Sequence, residues 1–278
     1  MYSLSVLILA ACMGGTKAEG GDRTQSSLLS LDSISDSICL TIKGQDVCAK
    51  AKVLFPVNQA EIKQNLTDML RQLAREDGIT GNPDSVNLDT FNIHSLLKYL
   101  IACKSGWLKG EAEEITGDLP TPMSYTLDMN LLEETDDYVT FGLYEESLFS
   151  GPHPHYSSYG VSYLKQNGKK LGISDLASGK TDEIRKEVQS ILKNYFRELT
   201  NDDDFDVDAA LSLKNEDGSE RLIALPEHGF YIKDDSIVFS YQTDEIASYA
   251  FGMPEVSLSL QQMKAKGWLG KELSDIVK

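Results

Sequence analysis

The stretch YTLDMNLLEETDDYVTFGLY, residues 125–144, decides the fold class. Apolar residues alternate with polar ones on either side of Thr135-Asp136-Asp137, and this alternation is typical of two half-buried strands joined by a turn. A second hairpin is predicted for residues 159–173 around Asn167-Gly168, and further strands for residues 38–57, 229–241 and 256–260. The sequence therefore predicts several antiparallel hairpins.

Helical spacing of apolar residues occurs in separate segments. Residues 62–73, 93–101 and 184–199 each repeat apolar side chains every three or four positions. Asn58 with Glu61, and Thr181 with Asp182, are predicted to begin two of these helices. Hairpins and helices in separate runs indicate an α+β fold, with antiparallel β-hairpins packed against a few α-helices. The expected halves of the folded body are residues 37–122 and 123–278.

Composition and charge exclude several classes of protein. The chain has 278 residues, 41% of them hydrophobic, and a formal net charge of −17. A chain of this length can bury a sizeable core without metals or many disulfides. The negative charge disfavours nucleic acid or an anionic lipid surface as a partner, because both are bound through Lys and Arg.

The N-terminus carries the strongest indication of location. Residues 1–11 hold no charge and run through an apolar stretch into Leu9-Ala10-Ala11-Cys12, which resembles the bacterial lipobox. The sequence thus predicts a lipoprotein signal peptide at residues 1–11, lipidation of Cys12 and a flexible tether at residues 12–36. It departs from the usual pattern because no Lys or Arg precedes the apolar stretch, and a buried N-terminal strand is the alternative. The expected location is the bacterial cell envelope, either periplasmic or surface-exposed.

Two further cysteines flank a turn. Cys39 and Cys48 lie on either side of Lys43-Gly44-Gln45-Asp46, where they can face each other across a hairpin and form a disulfide in an oxidising compartment. Burial of both as small apolar side chains is the alternative. The spacing of the four cysteines matches no zinc motif, and no metal site is predicted.

The segment Gly151-Pro152-His153-Pro154-His155 invites a chemical interpretation. Two histidines separated by one residue can share a strand face, but no further motif of metal ligands accompanies them. The flanking prolines favour a rigid recognition loop. Nucleophile-elbow, phosphate-binding and dinucleotide-binding motifs are all missing from the sequence, so no cofactor and no enzymatic activity are predicted.

Four segments resemble a known family. They are Ser150–Pro154, Asn167–Leu176, Phe230–Tyr241 and Tyr241–Gly252, which together are similar to the RsiV/PdaC-type family of domains of unknown function. Members occur in a lysozyme-sensing anti-sigma factor and as the accessory domain of a peptidoglycan deacetylase. The resemblance covers residues 123–263, with Ser150, Pro152 and Ser248 as departures. It implies an α+β envelope module without an active site of its own.

These observations lead to three hypotheses. The first is a lipid-anchored, non-catalytic binding module for a basic, lysozyme-like protein or a cell-wall glycan, since a −17 surface attracts a basic partner. The second is a cell-wall hydrolase that uses His153 and His155, and the third is a passive structural lipoprotein. Candidate ligand contacts are the aromatic and histidine-rich residues of two loops: Gly151, His153, His155, Tyr156, Tyr159, Tyr249 and Phe251.

Overall fold

The computed structural model describes residues 28–76, 86–119, 122–149, 153–201, 204–215 and 217–278. The expected signal peptide and Cys12 lie outside these residues, as does Gly151. Among the helices that are described, none combines the length and apolarity needed to cross a bilayer.

The chain is a mixed α+β protein, as predicted. Its strands are β1 Leu31–Ile42, β2 Gln45–Pro56, β3 Met123–Glu134, β4 Tyr138–Leu148, β5 His155–Leu164, β6 Tyr231–Lys233, β7 Ser236–Ser240 and β8 Glu255–Ser259. Its helices are α1 Ala60–Glu76, α2 Ile93–Glu114, α3 Thr181–Thr200, α4 Val207–Ala210, α5 Leu260–Ala265 and α6 Lys271–Ile276.

Strands β1 to β5 form one sheet in sequence order. Every neighbouring pair is antiparallel except β2 and β3, which are parallel. Parallel neighbours need a long crossover connection, and α1 and α2 provide it. The boundary expected at residues 122/123 therefore falls between two paired strands of the same sheet.

Strand β1 begins at Leu31, inside the range 12–36 that was expected to be a tether. Leu31, Ile34 and Ile38 are half-buried against the first core, whereas the intervening Ser and Asp residues are mostly exposed. A strand at a sheet edge tolerates polar residues on its exposed positions, so composition alone does not distinguish it from a tether.

Helices α1 and α2 cover one face of this sheet. Ile62, Leu66 and Leu70 of α1 are fully buried at helical spacing, and α2 contributes a second buried stripe from Ile93 onward. The start of α2 is capped by the side chain of Asn92, which accepts a hydrogen bond from the Ser95 amide at 2.9 Å. The first core lies between these two helices and the sheet.

A second core follows β5. It lies between α3 and the three-stranded antiparallel sheet β6-β7-β8, and Ile184, Val188 and Leu192 of α3 are fully buried there. The expected strand at residues 170–173 is not formed: Lys170 makes only an isolated bridge to Tyr163, and a 3-10 turn begins at Ile173. The tight turn at Gly168 is present, but the chain then leaves the sheet edge for the second core.

The two cores meet across the face of the large sheet that α1 and α2 leave free. At one end of this face, Tyr231 of β6 lies directly over Gly160 of β5. The other end is not covered by the second core, and we call it the open face. It carries exposed and half-buried polar side chains of β2, β3, β4 and β5: Lys50, Lys52, Thr126, Asp128, Tyr144, Glu146, Tyr156 and Ser158.

Candidate functional site

The two loops expected to contact a ligand meet in the folded chain. The hydroxyl of Tyr249 donates a hydrogen bond to the carbonyl oxygen of Pro154 at 2.9 Å. The ring of Tyr249 lies 5.6 Å from that of His153 and 5.8 Å from that of Tyr156, measured between centroids. Residues almost one hundred positions apart thus form one aromatic surface.

Hydrogen bonds from Gln242 and Asp244 hold the Tyr249 turn in place. The side-chain oxygen of Gln242 accepts from the Ser158 amide at 2.9 Å, and its amide nitrogen donates to the Ser158 carbonyl at 3.0 Å. Asp244 accepts a hydrogen bond from the Tyr249 amide at 2.7 Å. The Gln242 side chain therefore joins the turn to both backbone groups of Ser158 in β5, and Asp244 holds Tyr249 within the turn.

Two residues of β4 extend this surface, and neither was among the residues expected to contact a ligand. Tyr144 and Glu146 lie two positions apart on the open face, where the Tyr144 hydroxyl donates to the Glu146 carboxylate. Glu146 is the cross-strand partner of Tyr156. We define the tyrosine patch as Tyr144, Glu146, His153, Tyr156 and Tyr249. Residues two positions apart in a strand share a face, so the sequence of β4 could have placed Tyr144 and Glu146 together.

The environment of the patch favours protonated tyrosines. Burial, followed by the hydrogen bond to Glu146 and its negative charge, raises the pKa of Tyr144 to about 12. Burial and the neighbouring Tyr156 hydroxyl raise the pKa of Tyr249. Tyr144 and Tyr249 are therefore neutral at physiological pH and present hydroxyl groups as well as rings.

His153 and His155 do not converge. His155 stacks on Phe149 with centroids 5.4 Å apart, and Phe149 in turn contacts Trp107, whereas His153 lies against Tyr249. Across the part of the chain that the structure describes, no three His, Cys, Asp or Glu side chains are grouped to hold a metal ion.

Tyr159 and Phe251 have mainly structural surroundings. The ring of Tyr159 stacks on His228 with centroids 3.9 Å apart and planes 7° apart. Phe251 packs against Phe196 and Phe205 at the edge of the second core. Of the expected contact residues that are described, His153, Tyr156 and Tyr249 form the patch, whereas His155 stacks on Phe149 on the side of the sheet that α2 covers.

Cys39 and Cys48 are direct cross-strand partners in β1 and β2 and are joined by a disulfide. Cys39 is exposed, and the bond lies on the same side of the sheet as Lys50. Cys103, in α2, is half-buried.

The fold and the site together define an α+β protein that carries a surface patch of aromatic residues. Residues 174–261 match the family model described as "Protein of unknown function (DUF3298)". The matched segment contains α3 and the three-stranded sheet of the second core, and it ends within α5.

Two crystal structures share the overall fold. A DUF3298 family protein from Pseudomonas aeruginosa PAO1 superimposes with a TM-score of 0.60 at 13% identity, covering 90% of this chain and 98% of that one. A member of the same family from Bacteroides fragilis gives a TM-score of 0.56 at 15% identity, covering 90% and 96%. The search of curated proteins gives no significant sequence match.

Proposed function

We propose that this protein is a non-catalytic binding module of the bacterial cell envelope that recognises a basic protein through the tyrosine patch. The observation that carries the proposal is the convergence of three tyrosines from β4, β5 and a distant turn. Tyr144 donates a hydrogen bond to Glu146, Glu146 is the cross-strand partner of Tyr156, and the ring of Tyr156 contacts that of Tyr249.

The chemistry of the patch suits a cationic partner. Tyrosine rings attract Lys and Arg side chains through their negative faces, and a carboxylate among the rings adds a charged hydrogen-bond acceptor. Tyrosines held by a rigid scaffold lose little entropy on binding and are frequent at interface centres. The net charge of −17 would accelerate encounter with a basic protein in a salt-dependent manner.

Attachment to the envelope is part of the proposal. Its support is the sequence Leu9-Ala10-Ala11-Cys12, in which Cys12 would carry the lipid and residues that follow would link it to β1. The disulfide between Cys39 and Cys48 is consistent with an oxidising compartment. The resemblance to envelope sensor and accessory domains supports the same location.

The geometry gives little support to the hydrolase hypothesis. General acid-base catalysis and metal ligation both require side chains that point to one reacting atom, and His153 and His155 contact different aromatic partners. A purely structural role does not account for the grouping of accessible aromatic residues in the patch, since such groups usually mark an interaction site.

Binding of hen egg-white lysozyme to the full chain, measured by calorimetry at low and moderate salt, tests the proposal. Tyr144→Ala is expected to weaken binding at least tenfold. Tyr195→Ala is the matched control, because Tyr195 is 38% exposed on α3 and Tyr144 is 36% exposed. The same loss in both variants, or no binding by the folded wild-type chain, would overturn it. Release of sugar from peptidoglycan that disappears in His153→Ala would favour the hydrolase instead.

A further inference from the structure

The open face carries two rows of side chains that cross all five strands. One row consists of directly paired residues of successive strands: Ser37, Lys50, Thr126, Glu146 and Tyr156. The adjacent row consists of Ser35, Lys52, Asp128, Tyr144 and Ser158. We call the two rows together the cross-strand track.

The track is accessible. Ser35, Ser37, Lys50 and Lys52 are exposed, and the residues on β3 are half-buried. A shallow groove of about 400 Å³ lies over the β1-β2-β3 part, lined by residues of both rows together with Asp36, Ala51 and Leu127. The second core covers the other end of this face, where Tyr231 lies over Gly160, and the Tyr249 turn contacts Tyr156 at the β5 end of the track.

We propose that the cross-strand track binds an extended oligosaccharide that carries a carboxylate group. Five strands spaced by about 4.8 Å give a track roughly 19 Å long. This length suits a linear polymer of several sugar rings, and the polar lining has few apolar groups to attract a helix or a hydrophobic loop.

The track presents hydroxyl, ammonium and carboxylate groups to such a ligand. The hydroxyl groups of Ser35, Ser37 and Thr126 donate and accept hydrogen bonds, as sugar hydroxyls do. Lys50 and Lys52 are neighbours on the same face of β2, where two ammonium groups complement an acidic substituent. Asp128, the cross-strand partner of Lys52, and Glu146 further along the track are acceptors for sugar hydroxyl groups.

Tyr144 and Tyr156 complete the track at its β4-β5 end. Their rings offer flat apolar faces with polar rims, which suit the alternating CH and OH groups of a pyranose. Lys50 and Lys52 lie far across the sheet from Tyr249 and His153, so the glycan site extends beyond the patch proposed for a protein ligand. The two ligands share only the tyrosine end and are expected to compete there.

The test compares two tetrasaccharides with the same backbone. One is the disaccharide repeat of N-acetylglucosamine and N-acetylmuramic acid taken twice, with free lactyl carboxylates, and the other is chitotetraose, which lacks them. Titration of the full chain by NMR is expected to show at least tenfold tighter binding of the acidic sugar, with the amides of Thr126 and Asp128 shifting.

The variant Lys50→Gln/Lys52→Gln is expected to reduce the affinity for the acidic sugar to that for chitotetraose. Lys98→Gln/Lys271→Gln changes the net charge equally, at two exposed positions outside the track, and is expected to bind as the wild type does. Equal affinity for both sugars, binding by neither, or shifts confined to other surfaces would overturn the proposal.

Lysozyme binding separates this proposal from the proposed function. The Lys50→Gln/Lys52→Gln variant is expected to bind lysozyme with unchanged affinity. A chain that binds the acidic tetrasaccharide but not lysozyme would leave the track proposal standing and remove the protein ligand. The reverse result would remove the track proposal alone.

Discussion

The hydroxyl oxygens of Thr140 and Ser162, on neighbouring strands of the large sheet, lie 2.7 Å apart in the fully buried contact between the two cores. The amide of Ile232 in β6 donates to Ser162 at 2.8 Å, and the hydroxyl of Thr140 donates to the Ile232 carbonyl at 2.7 Å. Each hydroxyl has one proton, so Ser162 donates to Thr140. This closed ring of hydrogen bonds satisfies both backbone groups of Ile232.

Replacing either hydroxyl should weaken the contact between the cores. Thr140→Val conserves the shape but leaves the Ile232 carbonyl without its donor, and a buried unsatisfied group costs about 1–3 kcal/mol. We expect the free energy of unfolding in urea to fall by this amount. A similar loss in Ser162→Ala, and a smaller than additive loss in the double variant, would show that the ring acts as a unit; full additivity would contradict it.

Gly160→Ala should destabilise the protein because a Cβ there would lie 2.3 Å from the Cγ atom of Tyr231. The ring cannot retreat without disturbing β6, and overpacking of this kind costs about 1–3 kcal/mol. Gly110→Ala is the control: Gly110 lies within α2 with no atom near its added methyl group, and we expect it to stabilise by about 0.5–1 kcal/mol. Thermal unfolding measures both changes.

Acidification should break a hydrogen bond at Trp268. Its indole nitrogen donates to Glu183 at 3.0 Å, and hydrogen bonds from Lys180 and then Trp268 hold the pKa of Glu183 below its ordinary value. A lowered carboxyl pKa gives a stabilisation that is complete above the unfolded-state pKa and is lost as pH falls through the folded-state value. We therefore expect Trp268 fluorescence to change with a midpoint below pH 4.5.

The other tryptophan, Trp107, can be removed by Trp107→Phe so that Trp268 is the only reporter. In that background Lys180→Ala should raise the midpoint, since Lys180 makes the largest contribution to the shift. An unchanged midpoint would mean that Lys180 does not hold the carboxylate in its charged form.

The disulfide should add stability. It closes a short loop, because Cys39 and Cys48 are nine residues apart, and the entropy of chain closure gives about 2–3 kcal/mol. Cys39→Ser/Cys48→Ser should therefore lower the urea midpoint, and dithiothreitol should lower that of the wild type equally. Cys103→Ser serves as the control for loss of a thiol and should respond to dithiothreitol as the wild type does.

Local patterns predicted most of the elements. The alternation at residues 125–144 gave β3 and β4, and the spacing of Ile184, Val188 and Leu192 gave α3. Strands were also expected within residues 229–241, where β6 and β7 are joined by Asp234 and Asp235, both with the positive φ that Asp tolerates in a tight turn. These features depend on residues close together in sequence.

Long-range features were beyond the same patterns. The parallel pairing of β2 with β3 joins segments separated by two helices, and no local signal distinguishes it from an antiparallel arrangement. The meeting of Tyr249 with Tyr156 depends on how the second core sits against β5. The loops were expected separately, but Tyr144 and Glu146 became recognisable only once the register of β4 was known.

The position of β1 has a consequence for orientation. The chain enters the sheet at Leu31, close to the end of β3, where the Leu29 amide donates to Glu134 at 2.8 Å. His155 lies in the same cross-strand row as Ile38. Ile38 follows Leu31 by seven residues along β1, which is roughly 23 Å at about 3.3 Å per residue. An attachment upstream of Leu28 would therefore hold the sheet at the end where β1 begins. The aromatic residues lie toward the opposite end of the strands, away from the point of attachment.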